Sequence, residues 1–337
     1  MSEDHRRLAR APSARTGLSR RALGAALAAP AILPAAALAQ GTFPSRPISL
    51  IVPFPAGGTT DVTMRALAEA ASRRLPQPVI VQNMPGAGNI LGAQAVARAR
   101  PDGYTLTQLP ASAVRIQILQ RTTYDVLKDF TPVVHVTGYT FGAICRADRF
   151  PNGWADVIAQ SKREPGSVSA GNTGANGTPH VAFAELASRE GVEFNHVSYR
   201  GDADGAQAIL GGHLDMMAGG SGLGTLVDGG QAKWLHVWTR ERLRRWPQAP
   251  TLLELGYRDM VITSPYGIVG PAGMDPAATR SLQEALAAAV QDPTHLAALE
   301  RFDMTPDYMD SAAYGTFLRT LFERESDLVR RLGLRAA

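Results

Sequence analysis

The chain has 337 residues with 34 Lys and Arg against 30 Asp and Glu, and its single cysteine rules out an internal disulfide. Six of the basic and two of the acidic residues fall in the first 39 positions, leaving 28 of each beyond them. That balanced remainder offers no basic surface for nucleic acid or an anionic membrane, and Cys145, beside Ala143 and Ile144, reads as a buried strand thiol rather than a nucleophile.

The first 39 residues carry Arg6, Arg7, Arg10, Arg15, Arg20 and Arg21, then an Ala- and Leu-rich run that closes on Ala37-Leu38-Ala39. This is the basic, apolar, A-x-A order of an export signal. Ser19-Arg20-Arg21 with Leu23 fits a twin-arginine signal, while Pro30, Pro34 and the alanine content make a poor membrane-spanning helix. The mature protein is expected to begin near Gln40, in the periplasm. Its roughly 298 residues exceed a typical single core, so two lobes are expected.

Beyond Gln40, strands and helices alternate. Ile48, Leu50, Ile51, Val52 and Phe54 form a near-continuous apolar run, the pattern of a strand buried on both faces. Val62, Ala66, Leu67, Ala70 and Leu75 repeat at close to 3.6 residues and predict a helix. Between them, Gly57 and Gly58 permit a sharp turn and close backbone approach, and Thr59, Thr60 and Asp61 are each able to cap the helix. A glycine-rich strand-to-helix turn with free N–H groups suits a small anion. With neither GxxxxGK[ST] nor GxGxxG present, a carboxylate fits better than a nucleotide. Since every strand-to-helix turn holds a cap, the stretch also reads as a plain helix start.

A strand at 79–81, the turn NMPGAGN (83–89), a helix over 90–98 and a strand at 104–106 complete a βαβαβ series, read as a parallel sheet with helices on both faces. The β-rich stretches 131–140 and 141–146 carry the chain into the second lobe. There a strand at 167–170, the polar loop GNTGANGTPH (171–180) and a helix over 181–189 repeat the first device. HVSYRG (196–201) and GGHLDMM (211–217) flank a further helix, 234–238 is a strand, and 261–270 is the return crossing. Helices over 277–290, 295–302 and 312–332 brace a lobe. The expected organisation is an export signal over 1–39, a first lobe over 40–138, a second over 139–262, and a return with bracing helices over 263–337. The two glycine-rich turns, one per lobe, would face each other across a cleft.

PFPAGGTTD (53–61), NMPGAGN, ARPDGYTL (99–106), GNTGANGTPH, HVSYRG, GGHLDMM and GIVGPAG (267–273), taken in this order, resemble the Bug-type substrate-binding proteins of tripartite tricarboxylate transporters over essentially the whole mature chain. The resemblance implies an α/β, two-lobed type II periplasmic-binding-protein fold, each lobe a mostly parallel sheet flanked by helices, with the ligand cleft between lobes. It further implies a solute receptor that closes over a small organic carboxylate and passes it to integral-membrane transporter subunits, and we expect a monomer with no cofactor, metal or nucleic acid. In that family the PFPAGG loop, often through water, and the second glycine-rich loop hold one carboxylate between them. By matching position the contacts fall on Phe54, Ala56, Gly57, Gly58, Thr59, Thr60 and Asp61, and on Asn172, Thr173, Asn176, Thr178 and His180, although His180 equally reads as a helix cap.

This chain departs from the family pattern after Tyr199-Arg200-Gly201, where Asp202, Ala203 and Asp204 replace small or neutral residues and a proline. A carboxylate there would repel a second acidic group on the ligand and favour an amine, hydroxyl or cation; alternatively Asp202 merely caps a helix. The competing class is an envelope enzyme, a lyase or hydrolase acting on a small organic acid. Against it, Ser221 in GGSGLG lacks the G-x-S-x-G elbow, and the histidines show neither HExxH nor a close pair.

Overall fold

The computed structural model describes residues 43–336, so the export signal expected over 1–39 lies outside the described residues. The first part of the chain forms β1 (Ile48–Val52), α1 (Thr59–Ser72), β2 (Val79–Asn83), α2 (Leu91–Ala97), β3 (Thr105–Leu109), α3 (Ala111–Leu119) and β4 (Phe130–Gly138). It continues through β5 (Phe141–Arg146), α4 (Trp154–Arg163), β6 (Ser169–Asn172), α5 (Thr178–Glu190), β7 (Asn195–Ser198), α6 (Asp202–Leu210), β8 (Met216–Gly220), α7 (Gly224–Asp228) and β9 (Ala232–Val237). The last part contributes β10 (Pro265–Pro271), α8 (Pro276–Val290), α9 (Pro293–Glu300), β11 (Pro306–Met309) and α10 (Ser311–Leu332).

The strands sort into two sheets flanked by helices, one ordered β11-β4-β10-β3-β1-β2 and the other β7-β6-β8-β5-β9. The first pairs β1 in parallel with both β2 and β3, Leu50 lying opposite Val81 and Leu106, and adds β10 antiparallel between β3 and β4. The second pairs β6 in parallel with β7 and β8 and adds β5 antiparallel between β8 and β9. Each sheet is therefore mixed, because the strands that enter or leave it by crossing run against the βαβ units.

The apolar run of β1 is explained by its place: Ile48, Leu50, Ile51 and Val52 are buried, with α1 turning Met64, Leu67, Ala70 and Ala71 into the core. The chain crosses between the sheets at Tyr139–Thr140 and again over 238–264, and the two crossings are tied together. Tyr139 N–H donates to the Ser264 carbonyl (3.1 Å), and the Thr263 hydroxyl donates to the Tyr139 carbonyl (2.8 Å). α3, α4, α7 and β11 are additions to the elements read from sequence. In α3 every residue from Ala111 to Ile116 is buried, so it lacks the polar face that marks an amphipathic helix.

Candidate functional site

The turn between β1 and α1 is locked from within. Gly57 has φ 82°, a left-handed conformation that glycine adopts without strain. Its N–H donates to the Asp61 carboxylate (2.8 Å), which also receives Arg65 Nε (2.9 Å) and Asn83 Nδ2 (2.8 Å). Burial pushes the Asp61 carboxyl upward, but these three donors outweigh it and hold the group below its ordinary value. None of Thr59, Thr60 and Asp61 caps α1: all three lie in its first turn, and the N-cap residue is Gly58, which has no side chain to give. Asp61 thus folds the loop back on itself, and Asp61→Ala is expected to cost about 1–3 kcal/mol in urea unfolding, the price of stranding its partners.

The second glycine-rich loop follows the same plan. Asn172 Oδ1 accepts from Gly174 N–H (3.1 Å) and the Ser198 hydroxyl (3.0 Å). The Asn176 N–H donates to His180 Nδ1 (2.9 Å), its side-chain amide to the Arg335 carbonyl (3.1 Å), and its carbonyl accepts from Arg115 Nη1 (2.6 Å). His180 packs edge-on against His196 at 4.8 Å and is driven down to about 4 by burial, then by His196 and Arg115, so it is neutral at pH 7. α5 starts at Thr178 with Gly177 as N-cap, and α6 starts at Asp202 with Gly201 as N-cap.

These turns meet at a cavity of about 790 Å³, counted out into the solvent at its mouth. Of the residues expected from sequence, Phe54, Ala56, Gly58, Thr59, Thr60, Thr173, Thr178 and Asp202 line it. Gly57, Asp61, Asn172, Asn176 and His180 do not, and the polar contacts just described tie them to the protein instead. Residues that sequence reading passed over also line the wall: Asn89, at the end of NMPGAGN; Ser112 on α3; Tyr139 and Phe141 at the crossing; Gly220 at the end of β8; and Ser264. Of these, Asn89 and Gly220 carried a signal, each in a glycine-rich stretch of the sequence, NMPGAGN and GGSGLG.

The wall has a definite polarity. α1, α5 and α6 all bring their N-termini to it, capped by Gly58, Gly177 and Gly201 with no side-chain oxygen on the first-turn N–H groups. By contrast α8, α9 and α10, away from the cavity, are each capped by a carboxylate: Asp275, Asp292 and Asp310. Uncapped N-termini present N–H donors and the positive ends of three helix dipoles. Two hydroxyls on the wall, Thr59 Oγ1 and Ser112 Oγ, are buried and find no partner among the described residues. The Thr60 hydroxyl, in contrast, pairs with Tyr139 OH (2.7 Å), and Tyr266 OH donates to the Thr60 carbonyl (3.0 Å), so an aromatic cluster holds the start of α1.

Asp202 does not cap α6 with its side chain. Both carboxylate oxygens face Gly220 N–H at 3.3 Å. As a residue Asp202 is half-buried, open along the cavity, but its carboxylate lies against β8 away from bulk water, and burial pushes it up to about 7. Asp204 is exposed and paired with Arg200 (3.1 Å).

The profile of the tripartite tricarboxylate transporter family receptor matches residues 63–334. A protein of Cupriavidus necator named UPF0065 protein in gbd 5'region is 38% identical over 321 residues, spanning 95% of this chain and 98% of that one. Protein BugT of Bordetella pertussis is 30% identical over 305 residues, spanning 89% of this chain and 93% of its own. Among solved structures, the periplasmic binding protein BugD superposes with a TM-score of 0.82 at 26% identity, covering 87% of this chain and 99% of that one.

Proposed function

The chain belongs to the tripartite tricarboxylate transporter receptor family, and on that premise we propose that it binds one small organic carboxylate in the cavity between its two sheets and delivers it to membrane transporter subunits. The observation that carries this reading is the meeting of three glycine-capped helix N-termini with the unpartnered hydroxyls of Thr59 and Ser112. A carboxylate there gains charge-assisted hydrogen bonds from neutral donors, each worth roughly 1.5–3 kcal/mol, with no buried cation required. Among the described residues lining the cavity there is no Lys, Arg or His.

In this reading 40–138 and 263–337 move as one lobe and 139–262 as the other, hinged at the paired crossings. Phe54, Ala56, Gly58, Thr59 and Thr60 grip from the first lobe, Thr173, Thr178 and Asp202 from the second. Gly57 and Asp61, with Asn172, Asn176 and His180, shape the two loops from behind. The protein is exported, works in the periplasm as a monomer and turns nothing over. At 100 times Kd, a recognised acid is expected to stabilise the purified protein by about 2.7 kcal/mol, read as a thermal shift across mono-, di- and tricarboxylates, aromatic acids and amino acids. Mass spectrometry of the same mixtures should show the acids unchanged; a product would establish an enzyme, and a panel without any shift would remove the receptor reading.

A further inference from the structure

The carboxylate of Asp202 is not needed to hold a ligand's carboxylate, and it opposes one. It has a place made for it: a Cβ on Gly219 would lie 2.1 Å from Asp202 Oδ1, so only glycine leaves room there. A Cβ on Gly220 would lie 3.1 Å from Asp202 Oδ2 and 3.6 Å from Thr59 Oγ1, which brings both oxygens to one small region of the wall, one from each side of the cavity. Among the described residues the Asp202 oxygens accept only the long contacts from Gly220 N–H, and the Thr59 hydroxyl, buried and lining the cavity, has no partner. The rings of Tyr139 and Phe141, stacked at 5.2 Å, border the same wall. Acceptor oxygens beside aromatic faces, in a cavity lined by two aspartates and no cationic side chain, are the surroundings that a positively charged nitrogen seeks.

Resting on the receptor reading above, we propose that the ligand is a carboxylate that also carries a protonated amine, its carboxylate at the uncapped helix ends and its ammonium against Asp202, with the Thr59 hydroxyl between the two, donating to the carboxylate and accepting from the ammonium. Asp202 is then the specificity-determining residue, since it rewards the ammonium and repels a second carboxylate. The groups facing it are Gly219 and Gly220 of β8, Leu223 of the short turn after β8, Thr59 of α1 and Tyr139 at the crossing. Of these only Tyr139 titrates, and burial keeps its hydroxyl neutral. On its own helix Asp204 is exposed and paired with Arg200. With the carboxyl raised to about 7, an ammonium selects the ionised form, so affinity for an amino acid should rise with pH through that value, whereas a dicarboxylate would bind better below it.

The test is calorimetric titration of the exported protein with matched probes: 4-aminobutyrate, butyrate and glutarate, and β-alanine, propionate and succinate, at pH 5.5 and pH 8. At pH 8 the amino acid of at least one set is expected to bind about tenfold or more tighter than both partners, and Asp202→Asn should abolish that margin. The wild-type pH series needs no variant, so it decides the matter even if Asp202→Asn fails to fold. Plain mono- or dicarboxylates bound as well as or better than their amino counterparts at pH 8 would overturn the inference and leave the receptor intact. Failure of every carboxylate, with or without an amine, would overturn the receptor reading and this inference together.

Discussion

Replacing Arg115 by methionine should destabilise the protein by about 3–5 kcal/mol, the usual effect of leaving a buried charge without its partner. Arg115 is 1% exposed and Glu325 7%. They meet in a two-pronged pair, Nε to Oε2 at 2.7 Å and Nη2 to Oε1 at 3.0 Å, and Nη1 reaches the Asn176 carbonyl at 2.6 Å. One guanidinium therefore ties α3 to α10 and both to the glycine-rich loop before α5. Methionine fills much of the volume but strands the Glu325 carboxylate and a buried carbonyl. Removing both charges in Arg115→Met with Glu325→Leu should restore most of the loss, because the desolvation of the pair is then avoided. Urea unfolding of the two single variants and the double one gives the coupling directly. A single variant within about 1 kcal/mol of the parent would show that water reaches the pair.

That network was closed to sequence reading, and the reason applies to the site as a whole. β1 and α1 were legible because their apolar periods differ so plainly, 48–54 nearly continuous and 62–75 spaced by 3.6. With Thr59, Thr60 or Asp61 as its cap, α1 is expected to start one to three residues later than Thr59, because Gly58 caps without a side chain and the capping rule looks for Ser, Thr, Asp or Asn. The same rule pointed to Asp202 as a cap, whereas its carboxylate faces β8. Glycine-rich loops announced two of the cavity's walls. Ser112, Tyr139 and Ser264 could not be foreseen, since they come from separate segments that meet only through the two sheet crossings. Nor does sequence tell which polar atoms of a loop face a ligand and which face one another: Asp61 and Asn176 look as exposed in the string as Thr59, yet their hydrogen bonds run back into the protein.

Gly58→Val should cost ligand affinity a hundredfold or more while leaving the fold intact. A Cβ at Gly58 would meet only the Pro55 carbonyl, at an ordinary 3.6 Å, and its φ of −76° with ψ 171° is one that valine adopts freely. The added Cβ therefore has no internal clash to relieve, and the side chain projects at the start of α1, where Gly58 borders the cavity. Keeping a carboxylate from the first-turn N–H groups forfeits two or more charge-assisted hydrogen bonds, roughly 3–6 kcal/mol together. Thr59→Val, which removes one hydroxyl at almost constant volume, should weaken binding by about 1–2 kcal/mol. Thr60→Val should instead lower thermal stability, because the Thr60 hydroxyl already pairs with Tyr139. Titration calorimetry and thermal unfolding on the three variants separate these effects. Normal affinity in both Gly58→Val and Thr59→Val would mean that the turn after β1 begins a helix and grips nothing, and that the carboxylate is held from α5 and α6 alone.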